Sequence, residues 1–235
     1  MLDIIEKKIF RFILAIILIL LYIFLPSFIV PLFYKAYNSS NTILADLARL
    51  EIYLILLCVF SVIFWEELAT SLPKFFKNFK TNIKAVFKNW GKGFLFMIIC
   101  NACILTVVGN IASNEAANRA MITARPISSI LSVMFIGPMS EELVFRANFR
   151  KIFNNKKLFC LVTGLIFGSI HMISSIQSGN YIELLYIVSY SGLGYYFAKA
   201  YYETDNIYTS MTIHIFHNSL TIVLVMLAMY LERFI

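Results

Sequence analysis

The sequence predicts an all-α, polytopic membrane helix bundle of about seven transmembrane helices with its N-terminus in the cytoplasm. Three observations predict it. Of the 235 residues, 60% are apolar and only 14% charged, with a mean hydropathy of +0.79; a soluble chain has roughly 45–50% apolar and about 25% charged residues. Apolar runs long enough to cross a hydrocarbon core about 30 Å thick recur along nearly the whole chain. Lys and Arg fall in the short connections between those runs, on alternate sides. A water-soluble fold is excluded, and one compact membrane domain is expected.

The first run, from Phe12 to about Tyr34, follows Lys7, Lys8 and Arg11. It is too long for a signal peptide and no small-residue cleavage site follows it, so it reads as an uncleaved membrane helix that Pro26 and Pro31 kink at its far end. Further spans are expected at about Ile43–Trp65, Gly93–Ile111, Ile127–Phe153, Leu158–Ile173, Tyr181–Tyr202 and Tyr208–Leu231. Trp65, Trp90, Tyr181, Tyr201, Tyr202 and Tyr208 lie near the proposed ends, where amphipathic rings favour the headgroup layer. The chain divides into N-terminal helices with a basic cytoplasmic loop, residues 1–126, and a core over 127–235.

Charge sets the orientation. Fifteen of the twenty basic residues fall on one side: Lys7, Lys8 and Arg11, six lysines from Lys74 to Lys92, the group Arg146, Arg150, Lys151, Lys156 and Lys157, and Lys199. Lys35, Arg49, Arg119, Arg125 and Arg233 fall on the other. The basic side is cytoplasmic and the C-terminus lies outside. The longest connection, Glu66 to Lys92, interleaves lysines with Phe75, Phe76, Phe79, Val86 and Phe87. That pattern reads either as an interfacial helix on anionic lipid or as a loop that only fixes topology. A net charge of +7 so distributed belongs to membrane topology, not to nucleic-acid binding. The four cysteines, Cys58, Cys100, Cys103 and Cys160, lie inside apolar runs and read as small packing residues; no second Cys or His pair accompanies Cys100 and Cys103 to make a zinc ribbon.

Ionisable groups at membrane depth are expensive, and each marks a candidate site. In Pro138-Met-Ser-Glu141-Glu142-Leu-Val-Phe145-Arg146, Glu142 and Arg146 are four apart on one helical face and can pair. Glu141 points about 100° away and is free to face a cavity. The fifth span carries Phe167-Gly-Ser-Ile-His171, and the seventh His214-Ile-Phe-His217-Asn218. Glu141 and His171 both fall at roughly 18–20 Å depth. Glu66 and Glu67 are also adjacent, but at a helix end with Ser71 where an Arg would be needed, so that pair reads as interfacial.

These residues spell EExxxR, FxxxH and HxxxN in order on successive spans, and over about residues 127–222 the chain resembles the type II CAAX prenyl endopeptidase and bacteriocin-processing (Abi, CPBP) family of intramembrane proteases. The resemblance implies that Glu141 and His171 activate a water, that His214 and Asn218 form the oxyanion hole, and that Glu142, Arg146 and Phe167 give structural support. A metal-free glutamate-type mechanism is favoured; a metalloprotease would take zinc on Glu141, His171 and His214. The expected activity is endoproteolysis of a peptide or membrane-tethered protein admitted into a cavity open toward the cytoplasm, as in peptide maturation or bacteriocin self-immunity, in a bacterial cytoplasmic membrane. His217, beside His214, is a candidate substitute donor. The alternatives are a non-catalytic regulatory partner of a kinase or transporter, and a small transporter using the same groups as a proton relay.

Overall fold

A computed structural model describes residues 2–234. Helix α1 covers Leu2–Ile29 and continues through Pro26, tightening into a 3₁₀ turn only at Val30–Phe33, where Pro31 removes a donor. Asn41 caps α2, Thr42–Ile63, by accepting from the amides of Ile43 and Leu44. At Phe64 the chain turns through 86° into α3, Trp65–Lys77. Helix α4, Phe79–Val108, is 30 residues long and stops at Gly109, whose φ of 78° only glycine adopts readily. The short helix α5, Ser113–Ala124, leads into α6, Pro126–Arg150. A hairpin of α7, Lys156–His171, and α8, Ile187–Thr204, precedes the final helix α9, Ile207–Leu231. No strand occurs among the described residues, so the all-α architecture is as the sequence predicts.

Among the described residues four helices are long and apolar enough to cross a membrane, or five if the bent pair α2–α3 is one broken span. The chain is a multi-pass membrane protein, but seven crossings are not reproduced by length and composition. Helix α7 has 16 residues and α8 has 18, about 24 and 27 Å at 1.5 Å per residue, short of a 30 Å core. They are packed against each other instead. Gly164 and Gly168 let their backbones meet: a Cβ on Gly168 would lie 2.9 Å from the Ser191 backbone nitrogen, and one on Gly164 2.8 Å from the Ser191 carbonyl oxygen. Neither contact can be relieved by a side-chain rotation. Gly168→Ala is expected to destabilise the fold by about 1–3 kcal/mol, measured as a lower denaturation midpoint in detergent, whereas alanine at Gly91, inside α4 with no neighbour within 4 Å, should leave the midpoint unchanged or raise it, because alanine is favoured over glycine in a helix interior.

The basic segment is helical on both sides of a single turn residue, Asn78, which removes the loop reading. Helix α3 holds its first part and the first half of α4 the rest, so Lys74, Lys77, Lys80, Lys84, Lys88 and Lys92 all lie exposed on helices while Leu68, Ser71, Phe75 and Val86 turn inward. Polar side chains tie this end together. Glu203 is held by Lys156 at 3.0 Å, Lys88 at 3.6 Å and the Asn89 amide at 3.0 Å, and Arg150 pairs with Asp205 at 2.8 Å. Glu67 accepts from Tyr201 and Ser71 and so fastens α3 to α8. At the opposite end Asp46, on α2, accepts from the amides of Ile127 and Ser128, both at 2.8 Å, and caps α6 from 81 and 82 residues away. One core joins the two parts of the chain: Ala15, Leu18 and Phe60 pack with Phe145, Phe149, Phe167, Phe197 and Met211. The cysteines are unpaired, with Cys160 buried.

Candidate active site

Helix α6 is not a uniform α-helix. Its central turn, Gly137–Glu142, is flanked by two π segments, Ser132–Ile136 and Leu143–Ala147, a feature common at functional sites. Pro138 accounts for the first. It has no N–H to give, and the Gly137 amide bonds back to the Ser132 carbonyl, five residues away; the Val133 carbonyl then has no partner on its own helix. Asn218 of α9 supplies one, its Nδ2 donating to Val133 O at 2.8 Å. The motif asparagine is thus tied to the helix that carries the paired glutamates.

Glu142 is completely buried and has three partners. Arg146 Nη1 donates to its Oε1 at 2.9 Å, His214 Nδ1 to the same oxygen at 2.8 Å, and the Ser210 hydroxyl to Oε2. Arg146, also fully buried, donates through Nη2 to Gly194 O at 3.2 Å, and its guanidinium carbon sits 4.5 Å above the Phe167 ring. Phe167 therefore works as a platform for the arginine as well as for His171, whose ring lies 4.4 Å away. Charges removed from water persist only when paired and hydrogen-bonded, and each of these is.

Glu141 has a different environment. Its side chain is 18% exposed, it accepts from Tyr22 Oη at 3.1 Å, and it lines a cavity of about 210 Å³ together with His171 and Asn218. His171 Nδ1 lies 2.8 Å from the Phe167 carbonyl. A carbonyl can only accept, so Nδ1 carries the proton and the neutral ring keeps its lone pair on Nε2. His214 is 2% exposed and sits behind Glu141, with Nε2 3.8 Å from the Glu141 carboxylate. Donation from Nε2 requires that ring to carry both protons, because Nδ1–H is already committed to Glu142.

The structure thus brings Glu141, His171 and Asn218 around one cavity, with His214 at its back and Glu142, Arg146 and Phe167 as the support beneath. His217 is not at that cavity. It is buried on the wall of a second one, of about 140 Å³, which shares Asn114, Asn118, His171 and Asn218 with the first, and its Nδ1 has no hydrogen-bond partner among the described residues. Three contributors carry no sequence signal. Tyr22 and Ser210 reach the glutamates from 119 and 68 residues away, and Asn118 faces both cavities from α5.

The two ends of the bundle differ in how they are packed around the cavity. Asn114 and Asn118 belong to α5, at the lysine-poor end, whereas Leu143, Val144, Phe145 and Phe149 fill α6 toward the lysine-rich end and are at most 1% exposed. Asn118→Cys, in a background without the native cysteines, should react with a membrane-impermeant maleimide added outside intact cells; Lys80→Cys should react only after permeabilisation. Among the described residues no three His, Cys, Asp or Glu side chains are grouped as metal ligands; Nδ1 of His171 and of His214 is held by a carbonyl and a carboxylate, which leaves Nε2 as the nitrogen each ring would offer to zinc. No step below runs through a metal.

Residues 123–220 match the family model described as type II CAAX prenyl endopeptidase Rce1-like. A candidate membrane peptidase of Bacillus subtilis (strain 168), YdiL, is 26% identical over 120 residues, which is 50% of this chain and 45% of that protein. An uncharacterized protein of Mycoplasma capricolum subsp. capricolum is 29% identical over 105 residues, 44% of this chain and 29% of that protein. The matched stretch is thus less than half of either relative's length. No solved structure matches. Over the segment that holds every one of these motif residues, this multi-pass membrane protein is similar to the type II CAAX prenyl endopeptidases.

Proposed function

We propose that the chain is an intramembrane endopeptidase that hydrolyses a peptide bond in a membrane-associated protein or peptide, with a role in peptide maturation or bacteriocin self-immunity. The observation that carries this reading is the convergence of Glu141, His171 and Asn218 on one cavity from α6, α7 and α9. Glu141 and the Nε2 lone pair of His171 hold a water and take its proton as the oxygen attacks the scissile carbonyl. The proton then passes to the leaving amine. Asn218 keeps one amide N–H beyond the one given to Val133, and that N–H, with Nε2–H of a doubly protonated His214, meets the oxyanion. Glu142 holds the His214 ring in place and Arg146 holds Glu142. The mechanism is metal-free, of the glutamate type.

The test is cleavage of a quenched peptide library by the purified, detergent-solubilised protein, with and without a chelator. Cleavage that persists in chelator supports the metal-free mechanism. Loss in chelator with recovery on adding zinc overturns it and makes the protein a metalloprotease. Absence of cleavage, joined to an unaltered cellular phenotype in Glu141→Gln, overturns the hydrolase reading in favour of a regulatory membrane partner.

A further inference from the structure

At the lysine-rich end, away from the Glu141 cavity, a cleft of about 710 Å³ opens between α1, the α2–α3 elbow and the end of α6. It is more than four times the ~150 Å³ that holds one benzene ring, so it admits a length of chain rather than a single side chain. Leu14, Leu18, Ile63 and Phe64 form its apolar wall, and Arg11 and Lys151 stand at its rim. Asn148 closes the floor by donating to Ala15 O at 3.1 Å. Arg11 spends one N–H on the Lys151 carbonyl, at 3.1 Å, and retains four of its five donors. Of the two acids lining the cleft, Glu67 is engaged by Tyr201 and Ser71; Glu6 is at the exposed outer edge.

The elbow fixes the depth of this cleft. Helix α3 leaves α2 at 86°, so it runs along the membrane plane when α2 crosses it. Trp65 and Phe76 are 68% and 64% exposed, and Lys74 and Lys77 are exposed beside them. Apolar rings and lysines on one in-plane helix belong at the boundary between headgroups and acyl chains. The rim of the cleft is therefore level with the phosphates and its wall with the first part of the tails.

We propose that this cleft binds one anionic phospholipid of the cytoplasmic leaflet, its phosphate on Arg11 and Lys151 and an acyl chain along Leu14, Leu18, Ile63 and Phe64. Apolar walls alone would take any lipid. The two rim cations select the anionic one, and the surrounding lysines raise its local concentration. The site lies at the other end of the molecule from the α5 wall of the Glu141 cavity, so the proposal does not rest on the hydrolase reading.

Trp90→Phe leaves Trp65, next to Phe64 of the cleft wall, as the sole tryptophan. The full chain carrying that change is placed in phosphatidylcholine nanodiscs containing a minor fraction of brominated phosphatidylglycerol or of brominated phosphatidylcholine, and Trp65 fluorescence is read. Brominated phosphatidylglycerol should quench at a mole fraction about 25-fold lower, the product of about fivefold for each of the two cations at an anionic surface. Arg11→Gln with Lys151→Gln should erase the preference. Leu14→Phe, which narrows the cleft and leaves its charge intact, should weaken quenching by the anionic lipid to the level of the zwitterionic one. Equal quenching by the two lipids in the starting protein overturns the site. So does a preference that survives Leu14→Phe, which would place the lipid on the open lysine surface instead.

Discussion

Glu141→Gln is expected to lower peptide cleavage by about 10²–10⁴-fold, the usual worth of a positioned general base, while leaving the fold intact. Both halves follow from the surroundings. The substitution preserves shape and still accepts the hydrogen bond from Tyr22 at 3.1 Å, but an amide cannot take a proton from water. Glu141 is partly open to its cavity, and His214, whose Nε2 lies 3.8 Å from its carboxylate, keeps its pairing with Glu142, so neutralising Glu141 does not leave that ring without a counter-charge. Turnover and the denaturation midpoint, measured on the same preparation, separate the two effects. Retained cleavage in a well-folded Glu141→Gln protein would remove Glu141 from the mechanism.

The neighbouring glutamate should behave in the opposite way. Arg146→Met removes the guanidinium from a fully buried pair and leaves the Glu142 carboxylate with only His214 and Ser210 as partners. Breaking a buried ion pair by deleting one partner typically costs about 3–5 kcal/mol, and the Gly194 carbonyl loses its donor as well. The result expected is a protein that fails to purify as a monodisperse species or melts well below the starting chain, with activity lost through the fold. Adding Glu142→Gln to Arg146→Met should recover part of the loss, since the amide removes the stranded carboxylate charge while its oxygen still accepts from His214 Nδ1. If Arg146→Met melts like the starting chain, the network is not what holds α6.

The motifs are legible because they are local. Glu142 with Arg146, and Phe167 with His171, are four apart, and on a helix that spacing alone puts side chains on one face; the 2.9 Å pair and the 4.4 Å ring contact are what it predicts. The divergent directions of Glu141 and Glu142 follow equally from the 100° step, and one does face a cavity while the other is sealed. His217 was ambiguous for a related reason: one position before Asn218, it faces elsewhere, onto the second cavity.

Contributions from distant segments were not legible. Tyr22 on Glu141, Ser210 on Glu142, and Asp46 capping α6 are each polar residues in otherwise ordinary runs, and only tertiary packing selects them from many equivalents. Charge counts report which helix ends face the cytoplasm and carry nothing about which end of a bundle is filled.

By itself the sequence determined what depends on composition and helical period: an α-helical membrane protein, its basic end, and the faces that carry Glu141, His171, His214 and Asn218. The tertiary structure decided the rest. Which helix a 16-residue apolar run packs against, whether α2 continues straight or turns through 86°, and which histidine meets which carboxylate depend on contacts between helices. Among lipid tails every apolar helix finds similar surroundings, so hydropathy places helices in the membrane, and only close packing and the pairing of buried polar groups choose their neighbours.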